Sequence, residues 1–297
     1  MVKLIVFEIG EGNFEQGFPV IVRIGEDGQR HSAEITSEQF PTFPPAPDIP
    51  ERYQNWRSTY CKLGHVQRII LPPSQITNVS SREECDNAAS ALVSSLNNWL
   101  NQPSVLQLER LLLHKVNESE KVRFIIKTQN PWLRRLPWHL WDFFQTCFPQ
   151  SEIALSTDYQ PSAQNLKSPV KILALFGHSE GINTKKDLDT LTKLQGAKIE
   201  ILQEPSKKEL INKLRSQPWD ILFFAGHSSS ENGDHSGEIQ INQQETLSLQ
   251  SLRNSLRYAV QKGLKLAFFN SCDGLGLANS LADLKIPYIV VMREPVS

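Results

Sequence analysis

Five short apolar runs in the second half of the chain set the strongest limit on its fold. They are KILALF (171–176), KIEIL (198–202), ILFFA (221–225), LAFF (266–269) and YIVVM (288–292). Each is too short for a helix, and all but KIEIL are too uniformly apolar for a strand with one wet face. Such runs suit strands buried on both sides, which is the signature of a parallel sheet joined by crossovers. The segments between them supply the crossovers. A helix is predicted over Thr184–Leu194, closed by Gly196. Ser206-x-x-Glu209 forms a capping box for a helix carrying Leu210, Ile211 and Leu214. A polar loop and a hairpin, GEIQINQQETL (237–247), come next, then a helix with Leu249, Leu252 and Leu256, and another over Gly276–Leu284. The pattern predicts an α/β fold, a mostly parallel sheet with helices on both faces.

The first half is organised differently. Its first 75 residues are β-rich, with KLIVFEIG and FPVIVRIGEDG bracketing EGNFEQG as a hairpin or meander. The proline-dense FPTFPPAPDIP (40–50) excludes regular structure. A helix over Glu51–Leu63 and a strand at VQRIIL (66–71) are expected after it. Ser81-x-x-Glu84 reads as a capping box for a helix to Leu100. Along it Cys85, Ala88, Ala89, Leu92, Val93, Leu96, Trp99 and Leu100 recur at helical spacing, which makes Cys85 core filling. KVRFIIKTQ is a strand, NPWLRRLPWHLWDFF (130–144) is aromatic with a helix after Pro137, and SEIALS is a strand. TDYQPSAQNLKSP (157–169) is a linker or a surface loop.

Bulk composition excludes some classes of function. The net charge of -1 gives no purchase on nucleic acid or an anionic membrane. No apolar run approaches the roughly 18 residues of a membrane span. MVKLIVFEIGEG turns acidic directly after its apolar run and reads as a first strand, not a signal peptide. The four cysteines (Cys61, Cys85, Cys147, Cys272) are far apart, so a cytoplasmic, reduced protein without a cofactor is expected.

Open parallel sheets bind ligands beyond the carboxyl ends of their strands. There the sequence puts Gly177-His178-Ser179-Glu180-Gly181, Gly226-His227-Ser228, Asn270-Ser271-Cys272-Asp273-Gly274 and Arg293-Glu294. His227 and Cys272 make a base and nucleophile pair, because an imidazole can draw the proton from a thiol and a helix start favours the thiolate. Backbone N–H groups around Gly226 or Ser271–Cys272 offer an oxyanion hole. Two other readings stay open. Gly177–Gly181 matches the G-x-S-x-G elbow of a serine hydrolase with Ser179 as nucleophile, although the following helix starts late and Asp220 is a poor acid partner. Cys272, His227, His235 and His178 could ligate zinc, but no paired spacing supports a metal site. The cluster Trp132, Trp138, Trp141, Phe143 and Phe144 reads as core rather than a base-stacking platform.

LRRLPWHLWDFF, KILALFG, DILFFAGHSSS, LAFFNSCDG and IPYIVVMREPVS together resemble the CHAT domain family, bacterial relatives of caspases and separases. The resemblance implies a caspase-like domain over 81–297, preceded by a smaller β-rich region over 1–80. It implies a cysteine endopeptidase with His227 as general base and Cys272 as nucleophile. It also implies a strand order that puts the strand before His227 between those before His178 and Cys272. His178 is then a bystander or a residue lining the cleft. The family normally continues through a further helix and more sheet beyond the strand that ends here, so the resemblance implies a domain incomplete at its C-terminal end, either active or inactivated by truncation. A non-catalytic signalling or scaffold module with the same fold is the alternative. The expected partners are a protein or peptide substrate and a regulatory protein. For specificity, Asp273 suits a basic side chain and Arg293 an acidic one; equally, Asp273 could cap the following helix and Arg293 could be a surface residue.

Overall fold

A computed structural model gives the structure. It describes residues 2–26, 33–35, 42–68, 78–117, 119–156, 166–180, 182–231, 236–271, 274–282 and 284–292. Contacts divide the chain into two compact units, Met1–Ala163 and Gln164–Ser297.

The first unit is a mixed sheet with helices. Strands β1 (Lys3–Ile9) and β2 (Phe18–Glu26) form the expected antiparallel hairpin. Its tip is closed by the Asn13 side chain, which accepts from the N–H groups of Glu15 and Gln16 at 3.0 and 2.8 Å. Short strands β3 (Ala33–Ile35) and β4 (Thr42–Phe43) pair with β2. Helices α1 (Ile49–Arg68), α2 (Asn78–Leu100) and α3 (Pro103–Lys115) follow. The chain then returns to the sheet as β5 (Val122–Lys127), parallel to β1. After helix α4 (Pro131–Arg135), a 3-10 turn (Trp138–Leu140) and helix α5 (Asp142–Cys147), strand β6 (Glu152–Ser156) pairs with β5. The order is β3-β2-β1-β5-β6.

Four sequence expectations are corrected in this unit. The proline-dense stretch 40–50 does hold regular structure: Thr42–Phe43 form an edge strand and Ile49 and Pro50 open α1, where the N–H that proline lacks is not needed. Val66–Arg68 close α1 instead of starting a strand, since a short apolar run serves either element; residues 69–71 lie outside the described residues. Ser81 falls inside α2, which starts at Asn78, so the first capping box is not a cap. Helix α3 forms where no element was expected. Pro103 at its first turn and buried Val105, Leu108 and Leu112 explain it. Cys85 is buried as expected.

The second unit is the parallel sheet. Strands β7 (Val170–Phe176), β8 (Ala197–Gln203) and β9 (Ile221–Ala225) are separated by α6 (Lys185–Thr192) and α7 (Lys207–Ser216). Ser206 caps α7 as predicted, its side chain accepting from the Glu209 N–H. A three-stranded antiparallel ribbon then forms from β10 (Ser228–Glu231), β11 (Ser236–Gln240) and β12 (Thr246–Ser248). Helix α8 (Leu249–Gln261), β13 (Leu266–Asn270), α9 (Gly274–Ala282) and β14 (Tyr288–Val291) complete it. The sheet order is β14-β13-β9-β7-β8, with every pairing parallel.

Alternation along β9 splits the core in two. Leu222 and Phe224 pack with Leu210, Leu214, Leu252, Leu256 and Leu281, which come from α7, α8 and α9. Phe223 and Ala225 pack on the other face with Leu188 and Leu191 of α6. Helices therefore cover both faces of the central strands, while the edge strands β8 and β14 keep exposed positions such as Ile201, Tyr288 and Val290 instead of the full burial their sequences suggested.

Candidate active site

The chain leaves β7 for β8 on one side of the sheet and leaves β9 for β13 on the other. This reversal opens a crevice between the carboxyl ends of β7 and β9, the usual ligand position in such sheets. Phe176, Ala225 and Asn270 are level with one another by register. His178 and His227 each follow two residues beyond that row.

Main-chain bonds lock the two histidine loops to the ribbon. The His178 N–H donates to Gln240 O (3.1 Å), the His227 N–H to His178 O (3.1 Å), and the Gln240 N–H to His227 O (2.9 Å). Two glycines permit this approach. A Cβ on Gly177 would lie 2.2 Å from Gln240 O, and Gly226 has φ +154 with a would-be Cβ 3.1 Å from His178 O.

The rings face a shared cleft, with centroids 5.9 Å apart. His227 Nε2 lies 2.9 Å from the carbonyl oxygen of Glu180. A carbonyl only accepts, so Nε2 carries the hydrogen, and neutral His227 presents its lone pair at Nδ1. His178 lies between two carboxylates, Nδ1 3.1 Å from Glu204 Oε1 and Nε2 3.5 Å from Glu180 Oε2. The cleft measures about 430 Å³ and is lined by His178, Glu180, His227, Glu238, Gln240 and Thr246 among others.

Cys272, Asp273, Arg293 and His235 lie outside the described residues. Ser271, directly before Cys272, is 1% exposed, and its hydroxyl has no hydrogen-bond partner among the described residues. Ser179 sits in no elbow: its carbonyl accepts from Ile182 N–H at 2.9 Å, and α6 begins only at Lys185. Asp220 precedes β9 at the opposite end of the sheet and accepts from the Lys171 N–H at 2.9 Å. Among the described residues no group of three His, Cys, Asp or Glu side chains could hold a metal ion, and no helix is long and apolar enough to cross a membrane.

Sequence reasoning passed over Glu180 as a contact, and over Glu204, Glu238 and Gln240. Period-two alternation in β11 carried a signal for the last two, since it puts Glu238 and Gln240 on one face and Gly237 and Ile239 on the other. The Glu180 contact runs through the main chain, which carries no residue-type signature.

The CHAT domain family model matches residues 90–297, and the chain belongs to that family. The family is related to caspase-like peptidases, and the chain has the corresponding caspase-like α/β fold. No curated protein matches the chain.

Proposed function

We propose that the protein is a caspase-like cysteine endopeptidase, with His227 as general base and Cys272 as nucleophile, in a domain occupying 81–297. One observation carries this reading. Ala225 of β9 pairs with Asn270 of β13, and His227 and Cys272 each stand two positions further along the sequence. Adjacent strands lie about 4.8 Å apart, so the loops after them emerge side by side.

In the proposed cycle His227 Nδ1 takes the proton from Cys272 Sγ. The thiolate attacks the carbonyl carbon of the substrate, forming a C–S bond and an oxyanion. The N–H groups of Gly177, His178 and His227 are already committed. Those of Gly226 and Ser271 have no backbone partner among the described residues and are the candidate oxyanion donors. As the C–N bond breaks, His227 returns its proton to the leaving amine. Water then attacks the thioester while His227 takes one of its protons. The C–S bond breaks, the acid product leaves, and the proton returns to sulfur. The Glu180 carbonyl keeps the ring in the required tautomer throughout.

The decisive measurement is thiol labelling by iodoacetamide near neutral pH, read cysteine by cysteine. A working site makes Cys272 react far faster than buried Cys85, and His227→Ala slows Cys272 alone. Equal, slow labelling of both would favour the scaffold alternative. Loss of hydrolysis in Ser179→Ala alone would favour the serine hydrolase.

A further inference from the structure

The whole chain is nearly balanced, with 31 Lys and Arg against 32 Asp and Glu. The stretch 216–252 is not. It runs through β9 and the ribbon, holds five acidic residues and contains no Lys or Arg. Its ribbon forms one wall of the cleft beside His227. Glu180 and Glu238 are the only Asp, Glu, Lys or Arg side chains among the described lining residues.

Glu238 has the stronger claim of the two. It stands opposite Ser229 and Ser248 on the neighbouring ribbon strands, so its own sheet supplies no counter-charge. Its flanking residues Gly237 and Ile239 are buried, Gly237 close against Leu277. That fixes the alternation and turns Glu238 toward the cleft. It is half-buried and makes no ion pair among the described residues. A partly desolvated carboxylate in that position is costly to cover with an apolar group and repels an acidic one. A cation relieves both costs, and a guanidinium can bond it with two N–H groups at once. Glu180 lies at the rim, its side chain 84% exposed and beside His178.

We propose that the cleft selects a peptide carrying a lysine or arginine side chain, with Glu238 as the main recognition carboxylate and Glu180 as a second one at the rim. The proposal rests on the peptidase reading only for where the cut falls, namely just after that cationic residue. Binding can be measured without cleavage, so the two readings can fail separately.

The test is calorimetric titration of the full chain carrying Cys272→Ala with three peptides, acetyl-Ala-Ala-X-Ala-Ala-amide with X as Arg, Leu or Glu. The arginine peptide should bind about tenfold or more tighter than the leucine peptide, with the glutamate peptide weakest. The arginine advantage should shrink between about 0.05 and 0.5 M salt. Adding Glu238→Gln, nearly isosteric, should remove most of that advantage, and Glu238→Lys should raise the glutamate peptide above the arginine one. Circular dichroism and melting curves identify any variant that fails to fold, and the Glu180→Gln change then takes its place. Equal or tighter binding of the leucine or glutamate peptide overturns the proposal. So does an arginine advantage untouched by the substitutions, or no measurable binding of any peptide. Binding of the arginine peptide without its cleavage by the unsubstituted chain would leave recognition standing and sink the peptidase reading.

Discussion

The two compact units use the same materials to different ends. In Met1–Ala163 the largest buried side chains are aromatic, with Trp138, Trp141, Phe7, Phe18, Phe43, Phe124 and Phe144 almost wholly inside. Most of their rings meet edge-on or tilted, as in Phe14–Phe18 at 5.1 Å and Trp141–Phe144 at 4.7 Å, while Phe43 stacks on Trp138. Several polar groups there look inward: the Trp99 and Trp138 indoles donate to Pro44 O and Leu133 O, and Asn97 bridges Leu140 O and the Asp142 N–H. In Gln164–Ser297 the core is mostly leucine, and the polar groups gather at the strand ends around an open cleft. The contrast is one of proportion: the first core interlocks many aromatic rings, whereas the second is mostly leucine around Trp219, Phe224 and Phe269 and carries its open cleft at the strand ends.

The contrast can be broken most sharply by activity. Cys272→Ala and His227→Ala should each lower peptide hydrolysis by on the order of 10³-fold or more with melting temperatures unchanged, while Ser179→Ala stays within about twofold. Equal loss in all three would erase the distinction between catalytic and bystander side chains. Next in size, Trp138→Ala in the aromatic core should cost about 3–5 kcal/mol of stability in urea unfolding. A cost below about 1 kcal/mol would deny that core its special role. Gly226→Ala adds a Cβ at a backbone angle that side chains avoid, so it should cost about 1–3 kcal/mol and reduce turnover by displacing His227.

The smallest effect is a pH dependence inside the aromatic unit. Burial pushes the Glu109 carboxyl up from 4.5 to about 7; the Trp141 indole offsets part of this and nearby Asp142 adds to it. The indole contact is imperfect, and both Glu109 Oε1 and Trp141 Nε1 have no hydrogen-bond partner among the described residues. Between those two values the folded chain holds a proton that the unfolded chain releases. Stability therefore falls as pH rises through that window and levels off above about 7. Glu109 is partly exposed, so Glu109→Gln should gain only about 1 kcal/mol at about pH 8 and flatten the profile. An unchanged pH profile would remove Glu109 from the account.

Legibility in the sequence followed the range of the forces involved. The five strands, the Ser206 cap and the turn from β1 to β2 depend on neighbours close in sequence, and all were readable. So was the placing of the strand before His227 between its two partners, through the family resemblance. The joining of β5 to β1 was not, because that pairing links segments more than a hundred residues apart. Helix α3 was readable from Pro103 and its apolar spacing and was passed over. Strand β10 is written Ser-Ser-Ser-Glu, a composition that reads as loop; its pairing with β11 makes it a strand. Of the site, the histidines were visible as residue types, while the carboxylates lining the cleft needed the ribbon's geometry to give them a direction.

The carbonyl that holds His227 belongs to the peptide unit of Glu180, and every amino acid at that position would bring the same oxygen. Side-chain scanning there would report on what the carboxylate grips and remain blind to what the backbone steers. Only chemical replacement of that amide, for example by an ester that weakens the acceptor, would expose the second role. Evolution is free to retune the rim of the cleft at this position without disturbing the imidazole it orients.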